Sequence, residues 1–149
     1  MEVKKFSKKR IGEILIEEGV AEASRITEAL QIQKEEGGLI GEILVRKGWV
    51  SEENLMLALS RQLSIPFIRL SKYKVNPEAQ KWVPKELALR EILFPFEQNE
   101  RLLSLAMVDP LNQSSLEEVG KKIPLRIQVF LAARSEIRSA IDRYYAQMN

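Results

Sequence analysis

The side chains most able to do chemistry in this chain are a cation, a bare backbone position and an amide. They are Arg10, Gly12 and Gln33, all within one stretch of 24 residues. Arginine presents a planar cation that stacks on an aromatic base or forks onto a phosphate. Glycine leaves the backbone open to close approach, and the free N–H groups of a helix start favour an anion. An amide both donates and accepts, as the edge of a base requires. Ile11, with Ile26 and Leu30 from a following helix, adds an apolar shelf beside them. This is the chemistry of recognition rather than of bond making. The chain has no histidine and no cysteine, which removes the commonest general base and metal ligand, the thiolate nucleophile and any disulfide. It contains no GxxxxGK[ST] loop, GxSxG elbow or HExxH pair. The acid pairs Glu17-Glu18 and Glu52-Glu53 fall on helix faces expected to be solvated. The sequence reads as a non-enzyme.

The constellation is written twice. Residues 10–33, RIGEILIEEGVAEASRITEALQIQ, return 29 positions later as residues 39–62, LIGEILVRKGWVSEENLMLALSRQ. Nine positions are identical, among them Gly12/Gly41, Gly19/Gly48 and Gln33/Gln62, and a spacer of five residues separates the copies. Such units are expected to stack as two versions of one structure and to offer two equivalent surfaces side by side, which suits a twofold ligand. An ordinary hairpin core accounts for the isoleucines, the leucines and Gly19. It leaves Gly12, Gly41, Gln33 and Gln62 unexplained, because helix interiors gain nothing from glycine and apolar cores gain nothing from glutamine.

The elements that must position these residues follow from periodicity. Ile11, Ile14, Leu15 and Glu18 share one face of a helix that Gly19 ends as a left-handed cap, and Ile26, Ala29, Leu30 and Gln33 share a face of the next. The second copy repeats this with Ile40, Ile43, Leu44, Gly48, Leu55, Leu59 and Gln62. Ser51 before Glu52-Glu53 is a hydroxyl cap with acids in the first turn, and Gly37-Gly38 breaks the chain between units. Helices this short need the neighbouring copy to cover them. Pro66 then stops the last repeat helix and opens an extended segment. Asn76-Pro77 starts a short helix. Residues 91–96 and 101–107 read as strands joined by a polar turn at Gln98-Asn99-Glu100. A helix over 114–122, a strand over 126–131 and a helix over 135–145 complete the chain. The expected class is α+β: a tandem helical-hairpin subdomain over 1–66, then an α/β subdomain over 67–149 with three or four strands.

Length and composition agree. At 149 residues and 45% hydrophobic content the chain can bury a real core. Net charge is only +2, and residues 1–70 carry eleven basic and eleven acidic side chains. The repeats therefore lack the basic stripe that nucleic acid needs. The run Lys4-Lys5-Phe6-Ser7-Lys8-Lys9-Arg10 is either a solvated terminus or a phosphate or anionic-lipid contact. No signal-peptide core and no apolar run of spanning length is present, so a cytoplasmic location without membrane insertion is expected.

The doubled pattern RLGxxLVxxG-(L/I)(I/V)-xxxxLxxxLxxQ with its five-residue spacer resembles the MshEN-type domain. That domain stands at the N-terminus of the hexameric ATPases of bacterial type II secretion and type IV pilus assembly. The likeness extends beyond the repeats: residues 63–67 (LSIPF), 105–110 (LAMVDP) and 141–145 (IDRYY) resemble its "LgiPF", "vAmaDP" and "aI.ryY". The resemblance implies binding of cyclic di-GMP, one half of the ligand per motif. Arg10 would stack on or fork to it, Gly12 and Gly41 would permit backbone approach, and Gln33 and Gln62 would meet polar edges. Ile11, Ile26 and Leu30, with Ile40, Leu55 and Leu59, would form the apolar floors. Asp109 either reaches a guanine edge or is a plain Asp-Pro turn capping the next helix. One departure matters: Leu39 stands where the second copy should have arginine. A lost charge-assisted contact, worth roughly 1.5–3 kcal/mol, weakens affinity about tenfold to a hundredfold. Lys34 or the basic terminus is the candidate compensation.

A competing expectation is a docking module without a nucleotide, recruiting the secretion ATPase to an inner-membrane platform protein. Trp49 and Arg46-Lys47 would form its surface, unless Trp49 covers the seam between repeats. The sequence contains no ATPase core, so an excised domain and a free-standing regulator both remain open.

Overall fold

The computed structural model describes residues 11–148. Its contacts divide the chain into two units, one ending at Ile65 and one beginning at Pro66. The class is α+β.

The first unit is two helical hairpins. The first hairpin is α1 (Ile11–Glu17) and α2 (Ala23–Glu36); the second is α3 (Ile40–Arg46) and α4 (Glu52–Leu63). Each opening helix ends the same way. Gly19 at φ 71° and Gly48 at φ 76° supply the left-handed turn. The Val20 N–H reaches Leu15 O at 2.9 Å and the Trp49 N–H reaches Leu44 O at 2.9 Å. These are Schellman closures, which satisfy carbonyls the helix leaves open. The Ser51 hydroxyl caps α4 by accepting from Asn54 N at 3.1 Å. The hairpins cover one another as their length requires: α1 lies against α3 and α4, and α2 against α3. The shared core holds Ile14, Leu15, Ala29, Ile43, Leu44, Met56, Ala58 and Leu63, all buried.

The second unit is built on a three-stranded sheet, β1 (Leu93–Gln98), β2 (Leu102–Met107) and β3 (Arg126–Leu131), in the order β1-β2-β3. β1 and β2 form an antiparallel hairpin, and β2 pairs in parallel with β3. The parallel step requires a crossover, supplied by the helix over Gln113–Gly120. Two further helices, Lys85–Glu91 and Arg134–Tyr145, complete α5 to α7 in chain order. The core is Phe94, Phe96, Leu103, Leu105, Met107, Leu131, Ile137 and Ile141. Phe96 takes Tyr73 and Phe130 edge-on, at centroid distances of 5.0 and 5.1 Å. Asn76 opens a 3-10 helix over Pro77–Trp82, capping Glu78 N at 3.0 Å. That segment runs beside β1, where Asn76 N donates to Phe96 O at 2.9 Å and Gln80 Nε2 to Pro95 O at 2.6 Å.

The strand expected from residue 91 begins at Leu93 instead. Glu91 closes α5, and Ile92 at φ 52° is its left-handed cap. The sequence reading has no helix at 85–91.

Candidate functional site

The two motifs place their glycines alike. Gly12 and Gly41 each occupy the second position of an opening helix and are buried. A Cβ on Gly12 would stand 2.9 Å from Ile26 Cγ2; one on Gly41 would stand 3.0 Å from both δ-methyls of Leu55. Ile26 and Leu55 are the same position in the two copies. The glycines therefore admit the branched side chain of the second helix in their own hairpin, and close helix approach is the packing reason that the sequence reading did not find. Their backbone does not face solvent. The residues expected as apolar floors are covered as well: Ile26, Leu55, Ile40 and Leu59 are 6%, 3%, 7% and 4% exposed. Ile26 and Leu55 are covered because each packs on the glycine of its own hairpin's opening helix. Open apolar surface remains in the first copy, at half-buried Ile11 and at Leu30, which is 39% exposed.

Both glutamines are half-buried, and they part company. Gln33 Nε2 donates to Gly38 O at 2.9 Å, tying α2 to the spacer. Gln62 Nε2 donates to Glu18 Oε2 at 2.6 Å. Arg61 joins it, giving Nε and Nη2 to Glu18 Oε1 at 2.9 and 2.7 Å. The hydrogen bond from Gln62, then that from Arg61, holds the Glu18 carboxyl below the usual carboxylate range. Glu18 is thus half-buried and engaged, not a solvated helix charge. Its partners were detectable only as places where the copies disagree in charge: Glu18 faces Lys47 across the alignment, and Arg61 faces Ile32.

Leu39 is the N-cap of α3, half-buried, with extended backbone. Arg10, the cation of the first motif, and the rest of the basic run lie outside the described residues. Trp49 is half-buried with Arg25 Cζ 4.8 Å from its ring centroid. The indole thus meets a side chain of the other copy. Arg46 pairs with Glu36 at 3.7 Å, and Lys34 is exposed.

Asp109 belongs to the second unit. Its Oδ1 accepts from Leu111 N at 3.2 Å and its carbonyl from Asn112 N at 3.2 Å. Asn112 in turn caps α6 through Ser115 N at 3.1 Å. The Asp-Pro turn is formed, one step removed from the cap itself. The second unit also carries a groove of about 290 Å³ between α7 and the 3-10 turn at Leu70–Lys72. Ser71, Ser135, Glu136, Ser139, Arg143 and Tyr144 line it, and Ser71 Oγ donates to Glu136 Oε2 at 2.6 Å. The sequence reading passed over it, although the four-residue steps Ser135, Ser139 and Arg143 mark one face of α7. Among the described residues no cluster of acids is arranged to hold a metal ion, and no helix is long and apolar enough to cross a membrane.

Comparison with known proteins covers both units. The MshEN domain profile matches residues 63–149, the second unit and its approach, and stops short of the doubled motif. The type IV pilus assembly ATPase PilB of Myxococcus xanthus is 33% identical over 138 residues, 93% of this chain and 24% of that protein. The type II secretion system protein E of Xanthomonas campestris pv. campestris is 29% identical over 93% of this chain and 25% of its own length. The chain thus spans 17% to 25% of the length of the curated relatives it matches. A solved structure of MshE with cdg (cyclic di-GMP) superposes with a TM-score of 0.80 at 31% identity, covering 93% of this chain and 100% of that one.

Proposed function

The chain belongs to the MshEN domain family, and we propose that it is a regulatory, non-catalytic domain that binds cyclic di-GMP along its two motifs. The observation that carries this is the likeness over the full length of a structure holding that nucleotide. Support within the chain is the repetition itself: two hairpins with the same glycine caps, the same buried glycine and the same half-buried terminal glutamine. Arg10 is the proposed cation of the first motif, Ile11 and Leu30 its open apolar surface, and Gln33 and Gln62 the polar contacts. Gly12 and Gly41 act by letting each hairpin close, which sets where those groups stand. The protein served is a type II secretion or type IV pilus ATPase, in the cytoplasm at the inner-membrane face, without nucleic acid.

A second reading is a docking module that recruits the secretion ATPase to an inner-membrane platform protein without a nucleotide. Leu39 in place of arginine and the burial of both glycines favour it. Calorimetric titration with cyclic di-GMP separates the two. The nucleotide reading expects micromolar or weaker binding, lost in Arg10→Ala and improved in Leu39→Arg. Absence of heat from both the native chain and Leu39→Arg would retire the nucleotide in favour of docking.

A further inference from the structure

Two side chains from the end of the second hairpin converge on one carboxylate of the first. Arg61 holds Glu18 Oε1 through two N–H groups at 2.9 and 2.7 Å, and Gln62 holds Oε2 at 2.6 Å. The arrangement has no mirror image. At the equivalent positions of the other copies stand Lys47, Ile32 and Gln33, and Gln33 turns to the Gly38 carbonyl instead. The second motif, which lacks the arginine at position 39, is therefore the one with a guanidinium beside its terminal glutamine.

A guanidinium edge and an amide N–H that satisfy two oxygens sharing one negative charge form a receptor for a phosphodiester as well as for a carboxylate. Glu18 reports that geometry from inside the protein. The Arg61 side chain is 59% exposed while that of Glu18 is 18% exposed, so the cation is reachable from solvent on the side away from its partner.

We propose that Arg61 and Gln62 are the anion-receiving pair of the second motif, with Glu18 as resident anion, and that a phosphate of cyclic di-GMP takes the carboxylate's place. The inference rests on cyclic di-GMP being the ligand, and it names what replaces the missing arginine. One unit charge leaves the pair and one arrives, so the exchange keeps the local charge balance. Its cost is the loss of the tie between hairpins as Glu18 turns to water.

The test is calorimetric titration of the whole chain with cyclic di-GMP, together with NMR of the Arg61 Nε–H in the same samples. Glu18→Gln removes the competing charge and keeps the size; it is expected to bind up to about fivefold tighter, the range of an exposed ion pair. Arg61→Ala is expected to bind at least about tenfold more weakly, with Arg61→Lys in between, because lysine keeps the charge and loses the fork. Glu18→Gln added to Arg61→Ala should gain little, and the Arg61 Nε–H resonance should move as ligand saturates. Thermal unfolding of each variant accompanies the titrations, and the NMR experiment on the native chain stands even if a variant unfolds. Binding by the native chain with Glu18→Gln and Arg61→Ala unchanged, or with a stationary Arg61 resonance, overturns this inference and leaves the nucleotide reading standing. Absence of binding in every variant, Leu39→Arg included, overturns both.

Discussion

Adding one methyl group to each buried glycine should give unequal results in the two copies. At Gly12 the new Cβ would stand 2.9 Å from Ile26 Cγ2. That methyl is bonded directly to the β-carbon of a branched residue inside a helix, where one χ1 rotamer dominates. It cannot retreat without moving backbone. At Gly41 the contacts, at 3.0 Å, are the two δ-methyls of Leu55, which a χ2 rotation carries away. Overpacking a core costs about 1–3 kcal/mol, and replacing a helical glycine by alanine returns up to about 1 kcal/mol, less in the first turn. Gly12→Ala is therefore expected to destabilise the first unit by about 1–2 kcal/mol, and Gly41→Ala to lie within about 1 kcal/mol of neutral. Urea and thermal unfolding followed by circular dichroism would read this, since about 1 kcal/mol moves the midpoint of a unit this small by about 4–8 °C. Ile26→Leu converts the first pair into the second and should recover most of the loss in Gly12→Ala. If Gly12→Ala equals or exceeds native stability, or Gly41→Ala costs more than Gly12→Ala, the close-approach argument is wrong.

Acid should weaken both units. The carboxyls of Glu18, Glu91 and Glu97 are lowered chiefly by hydrogen bonds from Gln62, the Ser115 hydroxyl and the Gln98 N–H respectively. Depressed carboxylates stabilise the fold above their ordinary range, at about pH 4, and that contribution disappears as pH falls through the lower folded values. Melting temperature against pH should fall there, and less steeply in a combined Glu18→Gln/Glu97→Gln variant. Gln80→Ala leaves the buried Pro95 carbonyl without its 2.6 Å donor and should cost about 1–3 kcal/mol in urea unfolding. Tyr145→Phe deletes the 2.8 Å bond to Val83 O and should cost about 1 kcal/mol. Burial pushes the Tyr145 phenol well above its usual value, so alkaline ultraviolet titration should show its ionisation delayed until the chain unfolds.

Much of the framework was legible because its signals are local. Gly19, Gly48, Ser51 and Asn76 act on the few residues around them, and each makes the cap its type predicts. The strand over 126–131 alternates and ends where it should. Helix α5 was missed because its seven residues follow Pro84 and merge into the apolar run of β1, with only the left-handed Ile92 marking the join. The motif glycines show a deeper ambiguity. A glycine that admits a ligand and a glycine that admits Ile26 or Leu55 look alike until the neighbouring helix is placed. Glu18 and Arg61 are 43 residues apart, and each alone resembles any solvated helix charge. Their pairing is a product of how the hairpins stack.

The segment alongside β1 has a consequence for association with other chains. Pro95 has no N–H to offer, its carbonyl is taken by Gln80, and the carbonyl of Phe96 is taken by the Asn76 backbone. At these two residues the flank is occupied, so a foreign peptide cannot add a strand there without displacing the segment. The same closure guards the unit against stacking into fibrils through β1.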